Sequence, residues 1–259
     1  MPHYLSVAEA IPRPGLRLVL TRGVPGPWGE LAKAIFHVKR IPYAAVAQEA
    51  GGDDAELVRW AGAANAPTAV WNDEPARSDR NGILFLAERL APDPPLLPRD
   101  PLERARCLGL ADAIAGELGF GWCRRLMMIE RMMHATGLPE PARVLRDRLA
   151  YRYGYDAAAA ARAPARCAEV LSLLARRLDA QAERGSRYLF GEALSVADLT
   201  WATFAALVRP LPPELCPMPA QTRAVYESRD PTVEAALDPR LLAHRDFVYE
   251  RYLPLPLDF

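Results

Sequence analysis

The stretch Val24–Tyr43, VPGPWGELAKAIFHVKRIPY, has the spacing for chemistry on an anion. It reads as a tight proline-glycine loop, one amphipathic helix, and a restart into a strand at Ile41-Pro42-Tyr43. The loop brings backbone donors at Gly26, Trp28, Gly29 and Glu30 to a helix start, where unpaired amides and the positive dipole end favour an anion or a thiolate. No thiol, hydroxyl or imidazole side chain accompanies them. The geometry for holding a negative sulfur or oxygen is there, and the usual side chain for acting on it is not.

Other reactive side chains are scattered. Cys107, Cys123, Cys167 and Cys216 form no CxxC and have no histidine at metal-ligand spacing. Three of the four lie in apolar helical surroundings, so they read as small core residues. His3, His37, His134 and His244 are isolated as well, and no metal site is expected.

The elements that must position the loop are readable on both sides of it. Leu16–Thr21 is an apolar strand bounded by glycine. Leu31, Ala34, Ile35 and Val38 give the following helix one apolar face. Tyr43–Ala47 is a second strand, parallel to the first if the helix is a crossover. A charged helix around Asp53–Ala63 follows, then short strands at Thr68–Trp71 and Pro75–Arg77. Ser78 or Asp79 caps a helix with Ile83, Leu86, Ala87 and Leu90 on one face. This βαβ-α-ββα order is that of a thioredoxin-like domain, expected over residues 16–91.

Residues 92–101 are a proline-rich linker, and 102–250 read as an all-α domain. One long helix is expected from Leu102 to about Ala135, with Leu108, Ala111, Ala115, Leu118, Trp122, Leu126, Ile129 and Met133 on its main face. Ala157–Ala161 is a helical alanine patch and Ala163–Arg184 a further amphipathic helix. Ser195 and Asp198 have capping-box spacing, flanked by Leu194 and Leu199 at staple positions. That box is read as a helix nucleus without a catalytic role.

Lys+Arg and Asp+Glu are both 32 in the 259 residues, so nothing points to a polyanionic partner. Apolar runs are too short for a membrane span, and the start lacks a secretory pattern. A cytoplasmic protein is expected.

Four segments in order resemble the glutathione S-transferase superfamily, over about Leu16–Arg245. GPW…RIPY fits the family's loop–helix–GIPY pattern, and Ala66-Pro67 stands where the family has a cis-proline before its third strand. Asp79–Leu90, DRNGILFLAERL, looks like its ESxAILxYL helix, and Tyr188–Ala202, YLFGEALSVADLTWA, is close to YLxGxxxTxADI. The resemblance implies an N-terminal thioredoxin-like glutathione-binding domain, an all-α domain lining a hydrophobic acceptor site, and a homodimer.

It also implies a glutathione transferase, or a lyase or ether-cleaving variant, with glutathione as co-substrate and a small hydrophobic electrophile as acceptor. Ala66, Pro67, Ser78, Asp79, Arg80 and Lys39 would bind glutathione. The Ala66 backbone would meet the cysteinyl amide, and the Asp79-Arg80 helix start would meet the γ-glutamyl carboxylate. Trp122, Met127, Met128, Met132 and Tyr252 would line the acceptor pocket, with Met133 in the core. Tyr249 and Tyr252 read either as a lid or as tail packing, and Arg124-Arg125 reads first as a solvated pair.

The chain departs from the family at the catalytic position. Families with a Cys or Ser nucleophile place it before the helix-leading proline, which here is Gly26. Families with Tyr place it at the end of the first strand, where Arg22 falls. Arg80 replaces the usual serine. The catalytic set is therefore Gly26 and Trp28 through their backbone, with Thr21 and Arg22 as the nearest polar side chains. A guanidinium beside the sulfur would lower its pKa; a surface strand-end arginine is the other reading. A non-catalytic member that binds hydrophobic ligands or a protein partner is the alternative function.

Overall fold

The computed structural model describes residues 3–50, 52, 54–227 and 229–259. The chain forms two compact units. The first comprises Met1–Leu96, Pro212–Met218 and Glu250–Phe259, and the second Leu97–Leu211 and Pro219–Tyr249.

The first unit contains α1 (Val7–Ala10), β1 (Leu16–Thr21), α2 (Pro27–Val38), β2 (Tyr43–Gln48), α3 (Ala55–Ala61), β3 (Thr68–Trp71) and α4 (Arg80–Leu90). The three strands form one sheet in the order β2-β1-β3, with β1 parallel to β2 and antiparallel to β3. Leu18 on β1 registers with Ala45 and Ala69. Burial on both faces explains why β1 reads as nearly continuous apolar sequence. On one face Val19 and Val46 pack with Leu57 of α3 and with Leu5, Val7 and Ala10 of the leader. On the other, α2 covers the sheet, and a methyl added at Gly29 would lie in ordinary contact with Leu20 Cδ2 at 3.4 Å.

The segment before β1 is structured: Leu5 bridges Val46 in parallel, and Ser6 and Glu9 close a capping box over α1. One local expectation is corrected in this unit. Pro75–Arg77 is not a strand. Only Arg77 pairs, antiparallel with Ala69, because Pro75 has no N–H to extend the ladder. The helix expected from Asp53 runs over Ala55–Ala61; Asp53 itself lies outside the described residues.

The second unit is helical: α5 (Pro101–Ala115), α6 (Phe120–His134), α7 (Glu140–Arg152), α8 (Ala157–Ala182), α9 (Val196–Phe204), a short 3-10 turn (Ala205–Leu207), α10 (Ala220–Tyr226), α11 (Pro231–Ala236) and α12 (Pro239–Tyr252), whose last residues return to the first unit. The single long helix expected over 102–135 is two. It breaks at Gly116, which is extended, and Leu118, which takes φ 57°, and it restarts after Gly119. Apolar spacing continues through the break, which hides it from periodicity. In contrast, α8 is longer than expected. Asp156 caps it, and the alanine patch carries it through Pro164 as one helix of 26 residues. The core of the unit includes Phe120 and Trp201, edge to face at 5.7 Å. Gly121 sits hard against Phe204, whose ring would be 2.4 Å from an added methyl.

Candidate functional site

The start of α2 is built from three small features. Pro27 supplies a preset φ and no N–H at the first helical position. Gly26 is the N-cap, in extended conformation with φ −65° and ψ 126°, and no side chain caps the helix. Glu30 N bonds back to Gly26 O at 2.9 Å, the first turn of the helix. A methyl added at Gly26 would meet no atom within 4 Å. Bare backbone with open space before it is the local geometry, at the place where a nucleophile would stand.

The two nominated side chains are both engaged elsewhere. Leu20 faces α2, so strand alternation turns Thr21 to the opposite side of the sheet. There its hydroxyl donates to Gln48 Oε1 at 2.9 Å. Gln48 is buried, and its amide nitrogen donates to Ala64 O at 2.5 Å and Asp54 Oδ1 at 3.3 Å. Two acceptors fix the nitrogen end, so the oxygen end must take the Thr21 proton. Thr21 is a strut tying β1 to the loops around α3. Arg22 is exposed and pairs with Glu49 at 2.5 Å.

The second half of the expected site begins at the cis Ala66–Pro67 peptide, directly before β3. Thr68 Oγ1 donates to Asn65 O at 2.7 Å and lies 2.9 Å from Ser78 Oγ. Asp79 caps α4, its Oδ1 accepting from Gly82 N at 2.8 Å. Its other oxygen would lie 2.7 Å from a methyl at position 82, so a side chain there would push the capping carboxylate aside. Asp79 and Ser78 remain at the surface or half-buried, and Arg80 opens the helix beside them.

Lys39 does not belong with them. Its side chain is fully buried, paired with Glu88 at 2.5 Å and donating to Ala91 O at 2.8 Å. It fastens the end of α2 to the end of α4, and a ligand has no access to it.

The acceptor candidates divide similarly. Met128 is buried, with its sulfur 3.6 Å from Arg125 Nη1, whereas Met127, Met132 and Met133 are half-buried. Of Met133, expected in the core, and Met128, expected in a pocket, it is Met128 that is buried, Met133 lying in the last turn of α6. Trp122 stacks edge to face on Tyr153 at 4.9 Å. Tyr252, half-buried in the first unit, is contacted by Arg251, whose Nε donates to its hydroxyl at 3.1 Å. Tyr249 is buried.

Arg124-Arg125 is not a solvated pair. Arg124 is fully buried and its Nε donates to Leu207 O at 2.8 Å, while Arg125 Nη2 donates to Tyr226 Oη at 3.1 Å. Burial lowers the pKa of Arg124. Among the described residues no cluster of His, Cys, Asp and Glu could hold a metal ion.

One group escaped the sequence reading. Glu30 is buried on the second turn of α2, with Lys33 Nζ 3.1 Å away, and Lys33 also reaches Asp258 Oδ1 at 3.0 Å. Glu30 and Lys33 have ion-pair spacing in the sequence, but Asp258 lies 225 residues further on and nothing local announces it. Tyr4 and Tyr43 feel the charges of the cluster, and burial pushes the Tyr43 hydroxyl up to about 12.

Burial also raises the pKa of Glu30 above its ordinary 4.5, although Lys33 opposes this. The fold therefore favours neutral Glu30, a contribution present below about pH 4.5 and lost as pH rises through the elevated value. Lys33→Met is expected to cost about 3 kcal/mol at neutral pH, where it strands a buried carboxylate. At acidic pH the loss should shrink as Glu30 takes up a proton. Urea unfolding of both proteins at the two pH values measures this; an equal loss at both would show that Glu30 is not the group left behind.

With this geometry in place, comparison with known proteins defines the class. Residues 157–246 match the family profile described as "Glutathione S-transferase, C-terminal domain". No curated protein matches the chain by sequence. Among solved structures, a glutathione S-transferase from Methylobacillus flagellatus with GSH bound superposes with a TM-score of 0.62 at 15% identity, covering 91% of this chain and 95% of that one. One from Methylobacterium radiotolerans, in complex with glutathione sulfonate, gives 0.58 at 19% identity, covering 91% of each chain. Glutathione transferase Omega 3C from Trametes versicolor gives 0.56 at 16%, over 95% of this chain and 89% of that one. The chain has the glutathione S-transferase fold, a thioredoxin-like N-terminal part followed by a helical part. That fold and the matched helical segment are what the chain shares with the glutathione S-transferases.

Proposed function

We propose that this protein binds glutathione through its first unit and stabilises the thiolate with backbone amides at the start of α2. The observation that carries this reading is the Gly26 N-cap: a helix start with no side-chain cap bond, where an added methyl would meet no atom within 4 Å. The cis Ala66–Pro67 edge would take the cysteinyl backbone as an added strand. The α4 start at Ser78-Asp79-Arg80 would receive the γ-glutamyl end. The thiolate would attack a small hydrophobic electrophile, with rate gained from positioning and electrostatics. The family likeness adds a cytoplasmic homodimer, which light scattering of the purified chain tests.

A specific observation favours a second reading. Thr21 and Arg22 are committed to Gln48 and Glu49, so neither of these two side chains is directed to supplement the amides. A glutathione-binding protein without transferase activity, serving hydrophobic ligands or a protein partner, fits that fact.

Titration with glutathione, followed by thiolate absorbance near neutral pH, separates the two. Transferase function is expected to give saturable binding with a thiolate signal. Binding without the signal selects the second reading, and no binding rejects glutathione as ligand. Arg22→Ala is expected to keep turnover within about threefold, since an exposed pair of this kind contributes about 0.5 kcal/mol. A larger loss at unchanged glutathione affinity would assign the guanidinium to the sulfur.

A further inference from the structure

The helix α7 is attached to its unit more loosely than the helices around it. All 13 of its residues are half-buried or exposed, whereas each other helix of the unit buries at least one side chain. Its half-buried residues, Ala142, Leu145, Arg146, Leu149 and Ala150, recur at three and four, which makes them one face, and Tyr153 continues it. That face packs on α6, while Tyr151 on the outside is 91% exposed. An isolated helix of this length is marginal in water, so α7 depends on a face that is only half covered.

Glycines with left-handed backbone stand at both ends. Gly137, with φ 70°, lies in the turn from α6, and Gly154, with φ 54°, lies in the turn to α8. A methyl added at either would meet no atom within 4 Å, so the glycines supply backbone freedom rather than room for close packing. Two tyrosines fasten the second turn. Tyr153 lies edge to face on Trp122 at 4.9 Å, and the Tyr155 hydroxyl donates to Glu130 Oε2. A half-covered helix between glycine hinges, with a two-point catch at one end, is able to open as a unit.

Beneath it, α6 presents Trp122, Arg125 and Met133, whose spacing puts them on one side of the helix. All three are half-buried, as are Leu145 and Leu149 opposite. The charge on this surface is positive. Arg125 Nη2 donates to the Tyr226 hydroxyl at 3.1 Å, and Nη1 lies 3.6 Å from Met128 Sδ, both neutral groups. Arg146 brings a second guanidinium from the α7 side, with its Nε on Asp147 at 2.8 Å. Glu130, the acid on this side of α6, is engaged by Tyr155 and lies 2.9 Å from His134 Nε2.

We propose that α7 is a hinged flap, and that the surface it closes against α6 binds a planar aromatic molecule carrying a carboxylate. Trp122 and Tyr153 take the ring, Met133 packs beside it, and Arg125 pairs with the carboxylate. This site lies within the helical unit and does not depend on glutathione binding by the first unit.

Native-state hydrogen exchange of the full chain, read by mass spectrometry, tests both parts. Amides of residues 140–152 are expected to exchange about a hundredfold faster than those of 167–174 in α8, where Cys167, Val170, Leu171 and Leu174 are buried. Equal protection would overturn the flap. The probe is 2-naphthoate, and its methyl ester is the uncharged control. At about ten times its dissociation constant, 2-naphthoate should slow exchange of 140–152 about tenfold, since the ligand must leave before the flap opens. No slowing, or equal slowing by the ester, would overturn the carboxylate site. Arg125→Met should abolish the slowing, and a folded variant that keeps it would overturn the role of the guanidinium. Tyr155→Phe removes one catch and should speed exchange of 140–152 about fivefold. Unchanged exchange in that variant would overturn the catch. The measurements on the unsubstituted chain stand whether or not the variants fold.

Discussion

Gly26→Cys is expected to fold normally and to acquire one glutathionyl group from oxidised glutathione, an adduct the parent chain cannot form at this position. Gly26 has an ordinary negative φ, and an added side-chain carbon meets no atom within 4 Å, so neither backbone nor packing resists the change. The new thiol would stand at the N-cap of a helix of 12 residues, where amides and dipole lower cysteine pKa values to about 3.5–7.5. Its thiolate would attack the disulfide and expel one glutathione thiolate. At pH 6–7 the reaction should run about tenfold faster than with an unperturbed cysteine, the higher thiolate fraction outweighing lower nucleophilicity. Intact mass before and after reduction, with peptide mapping to residue 26, measures it. A folded variant without the adduct would mean that the α2 start does not receive glutathione, and the proposed function would go with it.

Asp198→Ala is expected to be the most destabilising single change in the second unit, at about 3–5 kcal/mol. Asp198 is fully buried in the capping box of α9. Its oxygens accept from Leu189 N at 2.7 Å, Ser195 N at 2.8 Å and Ser195 Oγ at 2.5 Å, and His244 Nε2 lies 3.0 Å away. Alanine would leave buried amides without an acceptor on both sides of the turn. Domain stabilities run to only about 5–15 kcal/mol, so such a loss approaches the whole margin. Ser195→Ala, which leaves the carboxylate and both amides in place, should cost about 1 kcal/mol. Urea unfolding of the two variants gives the comparison. Equal losses would show that the tie to Leu189 contributes little.

Legibility in the sequence followed the range of the interactions. The α2 loop, the Asp79 cap and the Ser195-Asp198 box involve neighbours within a few residues, and each formed as its spacing indicated. The partners of Thr21, Arg22, Lys39 and Arg124 did not show, because each is met only when distant segments fold together. Gln48 looks like any polar residue ending a strand until Asp54 and Ala64 fix its nitrogen. The break between α5 and α6 was hidden for another reason: apolar period reports which side is buried, not whether the backbone is continuous.

The sequence by itself determined the class of this protein: a glycine-proline helix start, a proline before β3, two capping signals and a proline-rich linker, in an order that few folds share. These are backbone requirements, and residue type expresses them directly. Tertiary structure alone decided which side chains are free to act. It turned Thr21 away from α2, tied Arg22 to Glu49, buried Lys39 and Arg124, and brought Asp258 to Lys33. The reason is physical: a side chain's chemistry depends on what its polar atoms already hold, and those partners are set by long-range packing.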